Sequence, residues 1–137
     1  MVRYIAGNKG EGKTKKLIDM ANKDIKTTDG HLVFIDDDRR HIFDLHYNIR
    51  FVDTGKKFLA NYREFIGYIL GILSMDSDIK IIYVDGLTNI LRTLENDCLV
   101  KLTAKLQALS EKHHVDFYIC VNWQTDLMPE ELKPLLA

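Results

Sequence analysis

Residues 7–14 read Gly7-Asn8-Lys9-Gly10-Glu11-Gly12-Lys13-Thr14, which satisfies the pattern G-x-x-x-x-G-K-[ST] at every fixed position. Each fixed position has a physical task in holding a polyphosphate. Glycines let the chain turn tightly enough for backbone N–H groups to face inward around phosphate oxygens. Lys13 is placed to reach the terminal phosphates, and the Thr14 hydroxyl to ligate Mg²⁺. A helix beginning here points its positive end at the same anion. The expected phosphate contacts are Gly7, Asn8, Lys9, Gly10, Glu11, Gly12, Lys13, Thr14 and Lys15.

The flanking sequence fits that geometry. Val2-Arg3-Tyr4-Ile5-Ala6 is a short apolar run of good strand formers. From Lys13 to Lys26, Leu17, Ile18, Ala21 and Ile25 recur at helical spacing. Further on, His31–Ile35 predicts a buried strand running into Asp36-Asp37-Asp38, and Ile49–Val52 a third strand. Lys57–Met75 predicts a long helix with an apolar face of Phe58, Tyr62, Phe65, Ile66, Ile69 and Leu73. Gly67 and Gly71, one turn apart on it, are expected to pack closely on the sheet, with a dimer contact as the other reading. Ile79–Val84 is a strand ending at Asp85-Gly86, Leu87–Leu94 one or two helical turns, and Glu95–His113 a helix with a leucine stripe. Asp116–Val121 is the last strand, and Pro129–Leu136 a terminal helical turn.

Strands alternating with helices imply an α/β, three-layer sandwich with a mostly parallel sheet of about five strands, formed by residues 1–137 as a single domain. In such sheets ligands sit beyond the carboxyl ends of the strands. Gly7, Asp36–Asp38, Asp85 and Asn122 all fall at those ends.

Composition narrows the partners. The 137 residues are 46% apolar and 28% charged with a net charge of −1, which does not indicate nucleic acid. The lysines at 9, 13, 15 and 16 gather at the proposed phosphate site. Cys98 and Cys120 form no CxxC pair, and Cys120 is expected to be a buried small hydrophobe. Phe65–Leu73 is too short an apolar stretch to cross a bilayer. With a first strand beginning at residue 2, the chain reads as cytoplasmic.

Magnesium beside phosphates usually needs a single protein carboxylate. Ile79–Val84 followed by Asp85 supplies an apolar strand with a carboxylate at its tip. With the Gly7–Thr14 loop, this resembles the P-loop NTPase family, whose second signature (Walker B) is such a strand. The resemblance implies ATP and Mg²⁺ as ligands, with Lys13 and Asp85 catalytic and Thr14 and Asp85 holding the metal. Asp37, within Asp36–Asp38, is the further catalytic candidate: in small P-loop kinases an aspartate near the second strand orients the substrate hydroxyl. Three adjacent like charges otherwise favour solvent exposure.

The spacing G-x-x-G-x-G-K-T is similar to the RecA- and AAA-like branch. There a glutamate beside the Walker B aspartate usually activates water, and this chain has Gly86 instead. Asn122 is either a γ-phosphate sensor or a turn residue, and Trp123 either stacks on a base or closes the core edge. Arg39, Arg40, Arg50, Arg63 and Arg92 are the arginine-finger candidates. His113-His114 at a helix end is expected to complement the helix dipole. The expectation is an ATP-Mg²⁺-binding domain acting as a slow ATPase or nucleotide-gated switch, with a protein partner unspecified. The alternatives are a small phosphotransferase using Asp36–Asp38, and a nucleotide-binding interaction module without turnover.

Overall fold

Five strands, β1 (Val2–Ala6), β2 (His31–Asp36), β3 (Arg50–Asp53), β4 (Ile79–Val84) and β5 (Asp116–Val121), pair entirely in parallel in the order β1-β5-β4-β2-β3. The computed structural model describes residues 1–55, 59–91 and 94–137. Among the described residues four α-helices accompany the sheet: α1 (Lys13–Asp24), α2 (Tyr62–Met75), α3 (Leu87–Ile90) and α4 (Asn96–His113). The α/β fold with a parallel sheet between helical layers is the one expected from the alternating pattern.

The direction of each crossover sets the layers. From β1 the chain moves across the sheet to β2 through α1, then outward to β3. It returns over β2 to β4 through α2, and steps on to β5 through α3 and α4. Right-handed connections that reverse direction put their helices on opposite faces. Accordingly, Leu17, Ile18 and Ala21 of α1 pack with Ile5, Leu32, Phe34, Ile81, Tyr83 and Cys120 on one face. Phe65, Ile69 and Leu73 of α2 and Leu99, Leu102 and Leu106 of α4 pack with Val33, Ile35, Ile82, Val84, Phe117 and Ile119 on the other.

Two-residue alternation along β2 and β5, and along β4 from Ile81 onward, divides these sets, because successive side chains leave opposite faces of a strand. Before Ile81 the register shifts, and Ile79 joins the α2 face. On the α1 face, Phe51, Phe34, Tyr83 and Tyr118 stack across four strands, with centroids 6.3, 6.1 and 5.7 Å apart. The Tyr83 hydroxyl donates to Asp24 at the end of α1. On the opposite face, the Tyr4 and Thr103 hydroxyls share a 2.6 Å hydrogen bond that ties β1 to α4.

The β1 edge is covered by the last residues: Leu136 bridges Tyr4 in parallel, and the Ala137 N–H donates to the Tyr4 carbonyl at 2.8 Å. Trp123 packs against the core and donates through its indole N–H to Asn96 at 3.0 Å, so it closes the core edge. Among the described residues, no helix is long and apolar enough to cross a membrane.

Two expectations are corrected. The helix expected over Lys57–Met75 begins at Tyr62, because Asn61 caps it, accepting from the Arg63 and Glu64 N–H groups at 3.0 and 3.1 Å. Glu64 reaches back to the N–H of Ala60, the residue before the cap, at 3.1 Å, which further fixes the start. Lys57 and Phe58, expected in that helix, lie outside the described residues, as does Arg92.

Gly67 and Gly71 do not pack on the sheet. The buried stripe is Phe65, Ile69 and Leu73, two positions round the helix, and a Cβ at either glycine would meet nothing within 4 Å. Both are exposed, so they carry the helix-propensity cost of glycine without a packing gain. Replacing Gly67 or Gly71 by alanine should therefore stabilise the fold by about 0.5–1 kcal/mol each. A fall in the chemical-denaturation midpoint of either variant would return these glycines to a packing role.

Candidate phosphate and metal site

The loop between β1 and α1 ends in Gly12, the N-cap residue of α1, at φ +78°. That left-handed conformation is costly for any side chain but open to glycine. With no side chain at the cap, the first-turn N–H groups of α1 have no side-chain acceptor. These donors, with the positive helix end, face a cavity of about 760 Å³ at the carboxyl ends of the strands. Lys9, Lys13, Thr14 and Lys15 line it from the loop and helix. Lys13 spans its own loop, its Nζ donating to the Asn8 carbonyl at 2.7 Å. Glu11 folds back towards Gly7, where an added Cβ would lie 2.8 Å from Glu11 Oε2.

The opposite wall is acidic, and strand register explains why. Ile35 pairs with Val84, and the Asp85 N–H donates to the Ile35 carbonyl at 2.8 Å. The next residues, Asp36 and Asp85, therefore leave adjacent strand tips on the α1 face. β5 lies between β4 and β1, so Asn122 stands between Asp85 and the loop strand. Its side-chain N–H₂ donates to the Thr88 hydroxyl at 3.1 Å.

The three consecutive aspartates have three different environments, so they do not form the uniformly solvated strand end that was one of the two readings. Asp36 is only 4% exposed, and its Oδ1 accepts the Asp37 N–H at 2.7 Å. Burial first, then a hydrogen bond with the Asp37 side chain and the charge of Asp85, push its pKa up to about 8. Asp37 is half-buried and lines the cavity. Asp38 is engaged by Arg40, through the guanidinium at 2.7 Å and the backbone N–H at 2.9 Å, and its carboxyl is held below the ordinary range.

Burial also raises Asp85, opposed by contact with the Thr14 side chain and by the Gly86 N–H, which donates to Asp85 Oδ1 at 3.0 Å. Beneath the loop, Cys120 is buried, its thiol raised well above the usual range chiefly by burial. This is the small-hydrophobe role expected of it.

Asp85 and Thr14 thus supply a carboxylate and a hydroxyl in contact. Among the described residues, neither Asp36, Asp37 nor Asp85 is paired with a lysine or arginine. Hard oxygen donors that no lysine or arginine pairs are of the kind taken by Mg²⁺, which needs few protein ligands and keeps several waters. Another group of metal-ligating types, His31, Asp76 and Asp78, lies at the opposite, amino end of the strands. There Asp76 is already paired with His31 at 2.6 Å and with Arg50.

Of the arginine candidates, Arg40 lines the cavity. Arg39 pairs with Asp53 at 3.2 Å, Arg50 with Asp76, and Arg63 lies over the Tyr62 ring. Sequence reasoning missed the floor that α1 provides. Ile18, Asp19 and Asn22 face the cavity on the same side of the helix as the expected Lys15, and their three- and four-residue spacing was the available signal. Asn22 donates to the Asp44 carbonyl and accepts the His46 N–H, each at 2.8 Å. It thereby holds the segment after Asp38, with His41 and Asp44, along the cavity. No protein-family model matches the chain, and no curated protein is significantly similar to it.

The Asp36 carboxyl gives a pH dependence. Its folded pKa of about 8 exceeds the ordinary 3.8, so between these values the folded chain retains a proton that the unfolded chain has released. Its contribution to stability is complete below the lower value and is lost as pH rises through the upper one. Urea unfolding without divalent metal should show Asp36→Asn gaining stability over the unsubstituted chain progressively across that range. A constant difference would place the Asp36 pKa near its ordinary value.

Proposed function

We propose that the chain is a P-loop nucleotide-binding protein that takes ATP with Mg²⁺ and couples the nucleotide to slow hydrolysis or a local conformational change. One observation carries this reading: the Gly7–Thr14 loop joins the carboxyl end of β1 to the amino end of α1, and Lys13, Thr14 and Asp85 line one cavity. The loop N–H groups and Lys13 would hold the phosphates, while Thr14 and Asp85 would hold Mg²⁺, which neutralises phosphate charge when bound. Lys13 would exchange its bond to the Asn8 carbonyl for phosphate oxygens, a charge-assisted and stronger partner.

The Asn122–Thr88 hydrogen bond supports a switching role, since it links the β5 tip to α3 immediately beyond Asp85-Gly86. A terminal phosphate bound beside Asp85 would compete for both groups. Free thiols at Cys98 and Cys120 fit a reducing, cytoplasmic setting.

The test is a titration of ATP and of GTP, each with and without Mg²⁺, on the unsubstituted chain, Lys13→Ala and Asp85→Asn. Lys13→Ala should weaken binding by at least about tenfold, because hydrogen bonds to charged groups contribute about 1.5–3 kcal/mol. Asp85→Asn should retain metal-free binding and lose the increment that Mg²⁺ adds. Unsubstituted protein that binds neither nucleotide above the Lys13→Ala level would sink the proposal. Phosphate transfer only to an added small acceptor would replace it with the phosphotransferase reading.

A further inference from the structure

We propose that Asp37, reaching from β2, positions the water that attacks the terminal phosphate, standing where a side chain at position 86 would otherwise project. This rests on the nucleotide-binding reading above. Gly86 follows Asp85 with φ +73°, a conformation that side chains rarely adopt. A Cβ built there would lie 2.8 Å from Asp37 Oδ1 and 3.3 Å from Asp37 Cγ. The glycine is thus more than the absence of an acid: it makes room for a carboxylate from the neighbouring strand. That carboxylate lines the same cavity as Lys13, Thr14 and Asp85.

The neighbouring acids are committed elsewhere. Asp36 is buried and accepts the Asp37 N–H at 2.7 Å, which also fixes the Asp37 backbone. Asp38 is bonded twice to Arg40. Asp85 contacts Thr14 and accepts the Gly86 N–H, the position of a metal-side carboxylate. Asp37 lines the cavity, and its side chain shares a hydrogen bond with that of Asp36 rather than with a lysine or arginine, so among the described residues it keeps acceptor capacity for a water molecule.

The step balances without a further reactant. Asp37 accepts a hydrogen bond from a water molecule and holds it in line with the terminal phosphorus. A bond forms from the water oxygen to that phosphorus as the bridging oxygen–phosphorus bond breaks. The electron pair stays on the diphosphate oxygen, and the water protons leave with the inorganic phosphate. Positioning is the main contribution a protein makes to such a loose transition state.

The experiment compares the unsubstituted chain, Asp37→Asn and Gly86→Glu in two measurements: phosphate release in a single turnover of ATP, and affinity for a non-hydrolysable ATP analogue with and without Mg²⁺. Asp37→Asn should release phosphate at least about tenfold more slowly, with analogue affinity and its Mg²⁺ increment within about threefold. Gly86→Glu should also be slower, because the new side chain displaces Asp37. The proposal is overturned by Asp37→Asn turning over at the unsubstituted rate, by its losing affinity as much as rate, or by Gly86→Glu turning over faster. It is equally overturned if the unsubstituted chain binds the analogue but releases no phosphate, which leaves nucleotide binding standing. Loss of analogue binding down to the Lys13→Ala level in the unsubstituted chain instead refutes the reading beneath it.

Discussion

The parallel register of β2 on β4 is the constraint from which the site follows. Pairing Ile35 with Val84 brings Asp36 and Asp85 to adjacent tips on the same face. A one-residue slip would turn one of them into the opposite core, because side chains alternate along a strand. The register is strongly enforced: Val33, Ile35, Ile82 and Val84 are buried under α2 and α4, and Leu32, Phe34 and Tyr83 on the other side. Hydrophobic burial thus holds two carboxylates together at an electrostatic cost that neither would accept in isolation.

That cost is managed locally. Asp36 is pushed towards the neutral form, Asp85 is hydrogen-bonded by the Gly86 N–H and touches Thr14, and Asp38 is paired with Arg40. A bound cation would relieve the remaining charge, since bound metal ions are often the largest charges in such a site. The opposite wall is electropositive for a different reason. Gly12 begins α1 without a side-chain cap, and lysines 9, 13 and 15 stand around the uncapped N–H groups. One cavity therefore has a wall suited to anions and a wall suited to a cation, the combination on which the proposed reading rests.

Much of this was legible in the sequence because the signals were local. Strand runs such as Ile79–Val84 are continuous and apolar, as strands buried on both faces must be. The Gly12-Lys13 junction is encoded by conformational preference at single residues. Less legible were features set by direction round a helix or by contacts between distant segments. Gly67 and Gly71 read as packing residues, but the buried stripe of Phe65, Ile69 and Leu73 turns them to solvent. The start of α2 at Tyr62 follows from the Asn61 cap and the Glu64 return, a signature present in the residues but outweighed by the apolar pattern upstream.

By itself, the sequence determined a strand, a glycine-bearing loop and a helix at Val2–Asp24, an alternation demanding a parallel sheet, and acids at strand ends. These depend on backbone preference and periodicity within a few residues. Only the tertiary structure decided that β5 separates the loop strand from β4, that Asn22 of α1 holds the segment carrying His41 and Asp44, and that Asp36, Asp37 and Asp38 differ in burial and partners. It also decided what Gly86 means. In the chain Gly86 is the residue after Asp85, but in space it is the gap that admits the Asp37 carboxylate. Such a gap exists only when two strands far apart in sequence are fixed side by side.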